Sequence, residues 1–182
     1  MKFCSECGSG RLEWRVPAGD DRSRHVCPDC RTIHYANPKV VAGMLVECDG
    51  RLLLCRRAIE PRYGLWTLPA GFMENHEGTE QAALRETWEE CRARPSLQRL
   101  YTVLSIPHVN QVYMMFLGRL DRPEFGPGPE SLEVALVEPE AIPWERLAFT
   151  VVARTLKHYL ADRASGDYGL HVGDIVKPAA AR

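Results

Sequence analysis

Leu68–Ala93, LPAGFMENHEGTEQAALRETWEECRA, is the stretch from which the rest of the chain is read. Gly71 is followed after five residues by Glu77, after seven more by Arg85-Glu86, and after two more by Glu89-Glu90. Thr79–Arg92 reads as a helix. Thr79 suits the N-cap, and Glu80 in the first turn suits the positive end of the helix dipole. Leu84, Thr87, Trp88 and Cys91 fall at i, i+3, i+4 and i+7, which makes one packing stripe. Glu86, Glu89 and Glu90 fall at i, i+3 and i+4 on roughly the opposite face. Three crowded carboxylates repel one another. A hard divalent cation relieves that repulsion, and Mg²⁺ prefers oxygen ligands. A Glu-rich helix face by itself is ordinarily solvated surface. On the helix alone that reading is favoured, and the fixed distances back to Glu77 and Gly71 change the odds.

This spacing resembles the Nudix box: Gly, five residues, Glu, seven residues, Arg-Glu, an apolar residue, any residue, Glu-Glu, any residue, Gly, apolar. The resemblance implies an α/β fold, an α/β/α sandwich on a mixed sheet. It also implies that the box helix holds catalytic Mg²⁺ or Mn²⁺, and that substrates are diphosphates linked to another moiety. Two positions depart from the pattern. Thr87 stands where an apolar residue is usual, and its methyl group can still pack. Arg92 replaces the closing Gly, whose left-handed turn costs another residue roughly 1 kcal/mol. Pro95 is expected to stop the helix instead.

At 182 residues and 45% apolar content, the chain can hold one medium domain with a real core plus a small module. A net charge of −1 offers no footprint for broad nucleic-acid or membrane binding. The start, MKFCSECG, lacks an apolar leader, and no run is long enough to span a bilayer. The expectation is a soluble cytoplasmic protein. Its seven cysteines, an odd number, argue for metal and free thiols rather than disulfides.

Residues 1–36 read as a separate module and 37–182 as the main domain. Cys4 and Cys7 make one C-x-x-C pair, and Cys27 and Cys30 the second, 19 residues later. That spacing matches a four-thiolate Zn²⁺ site. A closed shell leaves no place for water, so the zinc is structural. His25 and His34 read as surface or packing residues. The module's charges nearly balance, which argues against a nucleic-acid role. A protein contact, a homodimer among the options, is the easier role for it.

In the main domain Val40–Cys48 and Arg51–Arg57 read as strands around an Asp49-Gly50 hairpin turn. Cys48 and Cys55 read as core thiols. Either Arg56 or Arg57 could clamp a phosphate, with a surface ion pair as the competing reading. Leu100–Ile106 and Gln111–Leu120 read as strands around Pro107–Asn110, the second buried on both faces. Glu124–Pro129 reads as a loop and Val134–Val137 as a strand. Thr150 is expected to cap a last helix whose apolar face is Val151, Val152, Thr155, Leu156, Tyr159 and Leu160. From Tyr168 the chain reads as an extended tail, with Ala179–Arg182 frayed.

Beyond the box, FCSECG, VCPDC, YANPK, GLWTLPAGF, RETWEE, PGPESLE and LAF occur in that order. Together they resemble the plant chloroplast FAD/ADP-ribose pyrophosphohydrolases and their short bacterial relatives. The zinc ribbon is also similar to that of bacterial NADH pyrophosphatases, but the SQPWPFPxS-type stretch of those enzymes has no counterpart here. The resemblance implies that Glu86 and Glu90, with Glu89 and the Gly71 carbonyl, hold Mg²⁺ or Mn²⁺. Glu89 or Glu133 then orients or deprotonates the attacking water, with Glu130 second to Glu133. Arg85 pairs with Glu77 or Glu89 and fixes the carboxylates. Arg57, Trp66 and Gln111 are the expected substrate contacts. FAD is the expected substrate, with ADP-ribose and NADH as competitors. A nucleotide sensor without turnover is the alternative from another class.

Overall fold

The chain divides between Asn37 and Pro38 into two units. The structure, a computed structural model, describes residues 1–176. In the first unit, β1 (Glu13–Arg15), β2 (Arg24–Val26) and β3 (Ile33–His34) form a small antiparallel sheet in the order β1-β2-β3. Its buried apolar side chains include Val26 and two thiols, Cys4 and Cys27. So small a core cannot offset the entropy of ordering the module.

The second unit runs β4 (Lys39–Cys48), β5 (Arg51–Arg57), β6 (Trp66–Thr67), β7 (Ala70–Phe72), α1 (Thr79–Cys91), β8 (Ser96–Ile106), β9 (Gln111–Arg119), β10 (Ser131–Val137), α2 (Thr150–Ser165) and β11 (His171–Asp174). The sheet order is β10-β5-β4-β9-β8-β11, with β6 added to β5 and β7 to β4. β4 runs parallel to β9 and β11 parallel to β8, while the other pairs are antiparallel. The sheet is therefore mixed.

Strand alternation builds two cores, one on each face of the sheet. Leu45, Leu52, Leu54, Leu104 and Met115 pack with Val151, Leu156 and Tyr159 of α2. Met44, Val46, Leu53, Cys55 and Phe116 pack with Ala82, Ala83 and Cys91 of α1. The result is the expected α/β/α sandwich. β4 is apolar along most of its length because both of its faces are covered. Asp49 and Gly50 both take positive φ, 49° and 80°, as a two-residue hairpin turn of the twist-matching kind requires.

Several local readings change. The N-cap of α2 is Phe149 rather than Thr150, which begins the helix without a side-chain cap bond. β9 is buried in its second half and only half-buried in its first. The stretch after Tyr168 is not a free tail: residues 171–174 pair with β8 from Thr102 to Ser105. The segment Ala179–Arg182 lies outside the described residues. Among those described, no helix is long and apolar enough to cross a membrane.

The placement of the site follows from how β4 is paired. It meets β5 only at Glu47 and Cys48, then meets β7 from Val41 to Gly43. The sheet splays between these contacts. A cleft of about 930 Å³ opens there, lined by α1, β7, β9 and the start of α2.

Candidate active site

α1 begins one residue earlier than its sequence suggests. Its N-cap is Gly78, whose N–H donates to Gln81 Oε1 at 2.8 Å. At the other end Arg92 adopts the left-handed conformation itself, with φ of 50°. Pro95 is not what stops the helix. The Arg92 and Arg94 guanidinium groups lie over the Trp88 ring, 5.4 and 4.2 Å from the centroid, and that stacking offsets part of the backbone cost. The carbonyls of Glu90 and Cys91 accept N–H bonds from Gly128 and Gly126, at 3.0 and 2.8 Å. A Cβ on Gly128 would lie 1.6 Å from the Glu89 carbonyl oxygen, so only glycine lets the loop dock.

The buried face of α1 keeps half of the expected stripe, Thr87 and Cys91. Leu84 and Trp88 are more than a third exposed, whereas Ala82, Ala83 and Glu90 are buried in their place. Glu90 is 6% exposed. Its Oε2 accepts from the Ala70 N–H at 3.1 Å and from the Cys55 thiol at 3.6 Å. The Cys55 thiol is held well above its usual range by its neighbour Cys91 and by burial, so it stays a donor. Burial pushes the Glu90 carboxyl up to about 7, against the Ala70 amide and with the help of Glu86. Burial likewise raises Glu86, against the pull of Arg85. The Glu86 carboxylate lies directly on the Gly71 backbone, where a Cβ would come within 2.3 Å of it. Glu89 is about half exposed and opens to the same cleft.

Arg85 ties this set together. Its Nε and Nη2 grip Glu77 at 3.0 and 2.7 Å, and Nη1 donates to Glu86 at 2.7 Å and to Glu89 at 3.0 Å. Nη2 also donates to the Phe72 carbonyl at 3.1 Å. The bidentate Arg85 guanidinium and the Glu74 N–H hold Glu77 down at about 2. Glu77 is thus permanently charged and anchors Arg85 from behind.

Of the expected substrate contacts, Arg57 and Gln111 line the cleft and Trp66 does not. Trp66 is paired to Arg56 in the β5–β6 ladder and packs into the α2-side core. Arg57 is only 9% exposed, with Nε bonded to the Pro61 carbonyl at 2.9 Å and its guanidinium 5.1 Å from the Phe149 ring centroid. Glu133 is also away from the cleft. It pairs across the ladder with Arg56 at 3.1 Å, because a register shift between Ser131 and Glu133 turns it to that side. Glu130 lines the cleft instead, near enough to Glu86 to help raise it. Cys55, Phe149 and Ile175 belong to the site's surroundings but nothing in their local sequence points there.

In the first unit the sulfurs of Cys4, Cys7, Cys27 and Cys30 all lie within 4.8 Å of one another. Hydrogen bonds from Thr32 hold Cys30 down at about 6. This is a tetrad of the size and donor type that suits a tetrahedral Zn²⁺.

Residues 36–159 match the family described as NUDIX domain. The chain belongs to the Nudix hydrolase family. Residues 2–36 match a zinc-ribbon family described as Nudix N-terminal. A Nudix hydrolase crystal structure from Nitrosomonas europaea superposes with a TM-score of 0.93 at 50% identity, over 97% of this chain and 100% of that one. The NAD-capped RNA hydrolase NudC of Chromobacterium violaceum is 27% identical over 86% of this chain and 57% of its own length. The ADP-ribose pyrophosphatase of Methanocaldococcus jannaschii is 37% identical over 40% of this chain and 43% of its own. The chain thus spans about half the length of the curated relatives it matches. The Nudix match ends within α2, so β11 lies beyond it.

Proposed function

We propose that this chain is a metal-dependent pyrophosphohydrolase that splits the diphosphate of an adenosine-diphosphate-linked nucleotide, with FAD as the leading substrate. The observation that carries the reading is the meeting of Glu86, Glu89, Glu90 and the Gly71 backbone on one wall of a cleft that also holds the buried Arg57. These donors are all oxygens, and burial raises two of the carboxyls, Glu86 even against its Arg85 partner, which fits a hard divalent cation. Bound there, Mg²⁺ or Mn²⁺ supplies charge neutralisation for the diphosphate and acidifies a water. Arg85, locked by Glu77, keeps Glu86 and Glu89 aimed at the cleft. Arg57 offers its free guanidinium edge to the phosphates. In this reading Glu89 or Glu130, both lining the cleft, takes the proton of the attacking water. Water's oxygen bonds to one phosphorus, the bond to the bridging oxygen breaks, and AMP leaves with a partner phosphate ester. For FAD the partner is FMN, and for ADP-ribose it is ribose 5-phosphate.

Two relatives are named for substrates of this class, an NAD cap and ADP-ribose. The flavin is placed first because an isoalloxazine ring needs an apolar or aromatic wall, which Tyr113, Met115 and Phe149 offer. Gln111 and His108 offer polar partners that suit a terminal ribose instead. The test compares kcat/KM for FAD, ADP-ribose and NADH in Mg²⁺ and in Mn²⁺. FAD should lead. If ADP-ribose or NADH wins by about tenfold in both metals, the flavin assignment is wrong and the hydrolase reading stands. If none is cleaved in either metal, the hydrolase reading is wrong.

A further inference from the structure

The end of the described chain builds part of the cleft, although it lies beyond the Nudix match. β11 adds to the free edge of β8, and the ladder continues one residue further through the Ile175 N–H, which donates to the Ser105 carbonyl at 2.8 Å. Burial alternates along this strap: His171, Gly173 and Ile175 are partly buried, and Val172, Asp174 and Val176 are exposed. A two-residue period is the signature of a strand with one face against the fold.

Each inward position has its own anchor. His171 Nε2 lies 2.7 Å from Asp162 Oδ2, and the same oxygen accepts from the Tyr101 hydroxyl at 2.8 Å. The His171 ring also stacks on His158, with centroids 4.0 Å apart. At Gly173 the Arg154 guanidinium crosses the strap closely and bonds the next carbonyl, of Asp174, at 2.7 Å. Ile175 then packs on the α2-side core beside Ile106 and Tyr113, and all three line the cleft. These bonds fix the strap up to Ile175 at its end.

Sheet order gives the scale. Gly71 sits on β7, against the α1 carboxylates, and β11 is four strand spacings from β7 through β4, β9 and β8. Four strand spacings are roughly 19 Å, of the order of the span from a diphosphate held at the carboxylates to the far end of an extended nucleotide half. Resting on the nucleotide reading above, we propose that the C-terminal strap is a specificity element: Ile175, with Ile106 and Tyr113, forms the wall against which the planar ring at one end of the substrate rests. The Asp162–His171 latch is the positioning device for that wall.

The test is calorimetric binding of ADP-ribose and FAD analogues in which a methylene replaces the bridging oxygen of the diphosphate, with turnover of the parent compounds measured alongside. Ile175→Ala should weaken binding of at least one analogue by about tenfold, as loss of a partly buried aliphatic contact does. In turnover the change should fall on KM, with kcat within about twofold. Ile175→Trp narrows the same wall and should shift the ratio of FAD to ADP-ribose affinity. Val172→Ala, on the exposed side of the same strand, should bind like wild type. Wild-type-like binding by both Ile175 variants overturns the proposal, as does failure of the wild type to bind either analogue. Should Ile175→Ala unfold the protein, Ile175→Trp and the milder Ile175→Val carry the comparison. A wild type that binds but does not hydrolyse sinks the hydrolase reading and leaves the strap's role standing. One that hydrolyses with unaffected variants sinks the strap alone.

Discussion

At the scale of single residues the box carboxylates divide by environment. Glu90 is buried on two donors, Glu86 lies on the Gly71 backbone, and Glu89 opens to the cleft. Glu86→Gln or Glu90→Gln should lower kcat about 100-fold or more at saturating Mg²⁺, with the fold retained. Glu130→Gln should cost activity and Glu133→Gln almost none, since Glu133 belongs to a surface pair with Arg56. Steady-state kinetics on the four variants checks this, and a larger loss at Glu133 than at Glu130 would reverse the assignment. The pH dependence follows from Glu90. Its carboxyl moves from an ordinary 4.5 to about 7 in the folded, metal-free protein. The folded state therefore keeps a proton that the unfolded chain releases in that window, and Glu90 costs stability progressively as pH rises through it. The full cost is of the order of 3 kcal/mol. Glu86 shifts the same way. Metal binding requires the ionised forms, so Mg²⁺ should raise Tm much more near pH 8 than near pH 5.5. Equal Tm gains at the two pH values, measured by thermal melts with and without Mg²⁺, would falsify this linkage.

At the scale of elements, the periodicity of α1 locates the helix to within a residue and puts Thr87 and Cys91 rightly inside, but not Leu84 and Trp88. Ranking by hydropathy puts Leu84 and Trp88 inside and Glu90 outside. The cleft needs the reverse, because Ala70 and Cys55 reach Glu90 from strands distant in sequence. The spacing of Glu86, Glu89 and Glu90 is legible because it is local to one helix. Glu133 and Trp66 were misplaced because a register shift and a ladder pairing decide them, and neither leaves a mark in the sequence. β11 was missed for a similar reason: four residues with a central Gly carry too little pattern to be read as a strand. The loop before β10 shows how such non-local contacts work. Gly126 and Gly128 cap the carbonyl end of α1, and the chain then delivers Glu130 to the cleft. Gly128→Ala forces a Cβ into the Glu89 carbonyl and should destabilise the protein by about 2–4 kcal/mol while lowering kcat. Gly126→Ala meets nothing within 4 Å and serves as the control. Similar Tm values for the two variants would show that the loop does not depend on that close approach.

At the scale of the whole molecule, the two units rest on different physics. The unit from Pro38 has two apolar cores on a mixed sheet, enough buried surface to fold without metal. The unit Met1–Asn37 has a three-stranded sheet of two- and three-residue strands and almost no apolar interior, so its stability has to come from its thiol tetrad. Four thiols held within 4.8 Å of one another repel once ionised, and Zn²⁺ turns that repulsion into the bonds that close the module. Purified protein should therefore carry one tightly held Zn²⁺ per chain. Cys27→Ser, which removes a fully buried ligand, should lose that zinc and melt the first unit. The second unit should keep its own cooperative transition, because none of the four cysteines belongs to its cores. Metal analysis together with calorimetry of the wild type and Cys27→Ser decides the matter. Two separable transitions, only one of them sensitive to a chelator, are expected. A folded first unit without zinc would mean that the small module does not need the metal, and a single transition lost as a whole in Cys27→Ser would mean that the two units do not unfold independently.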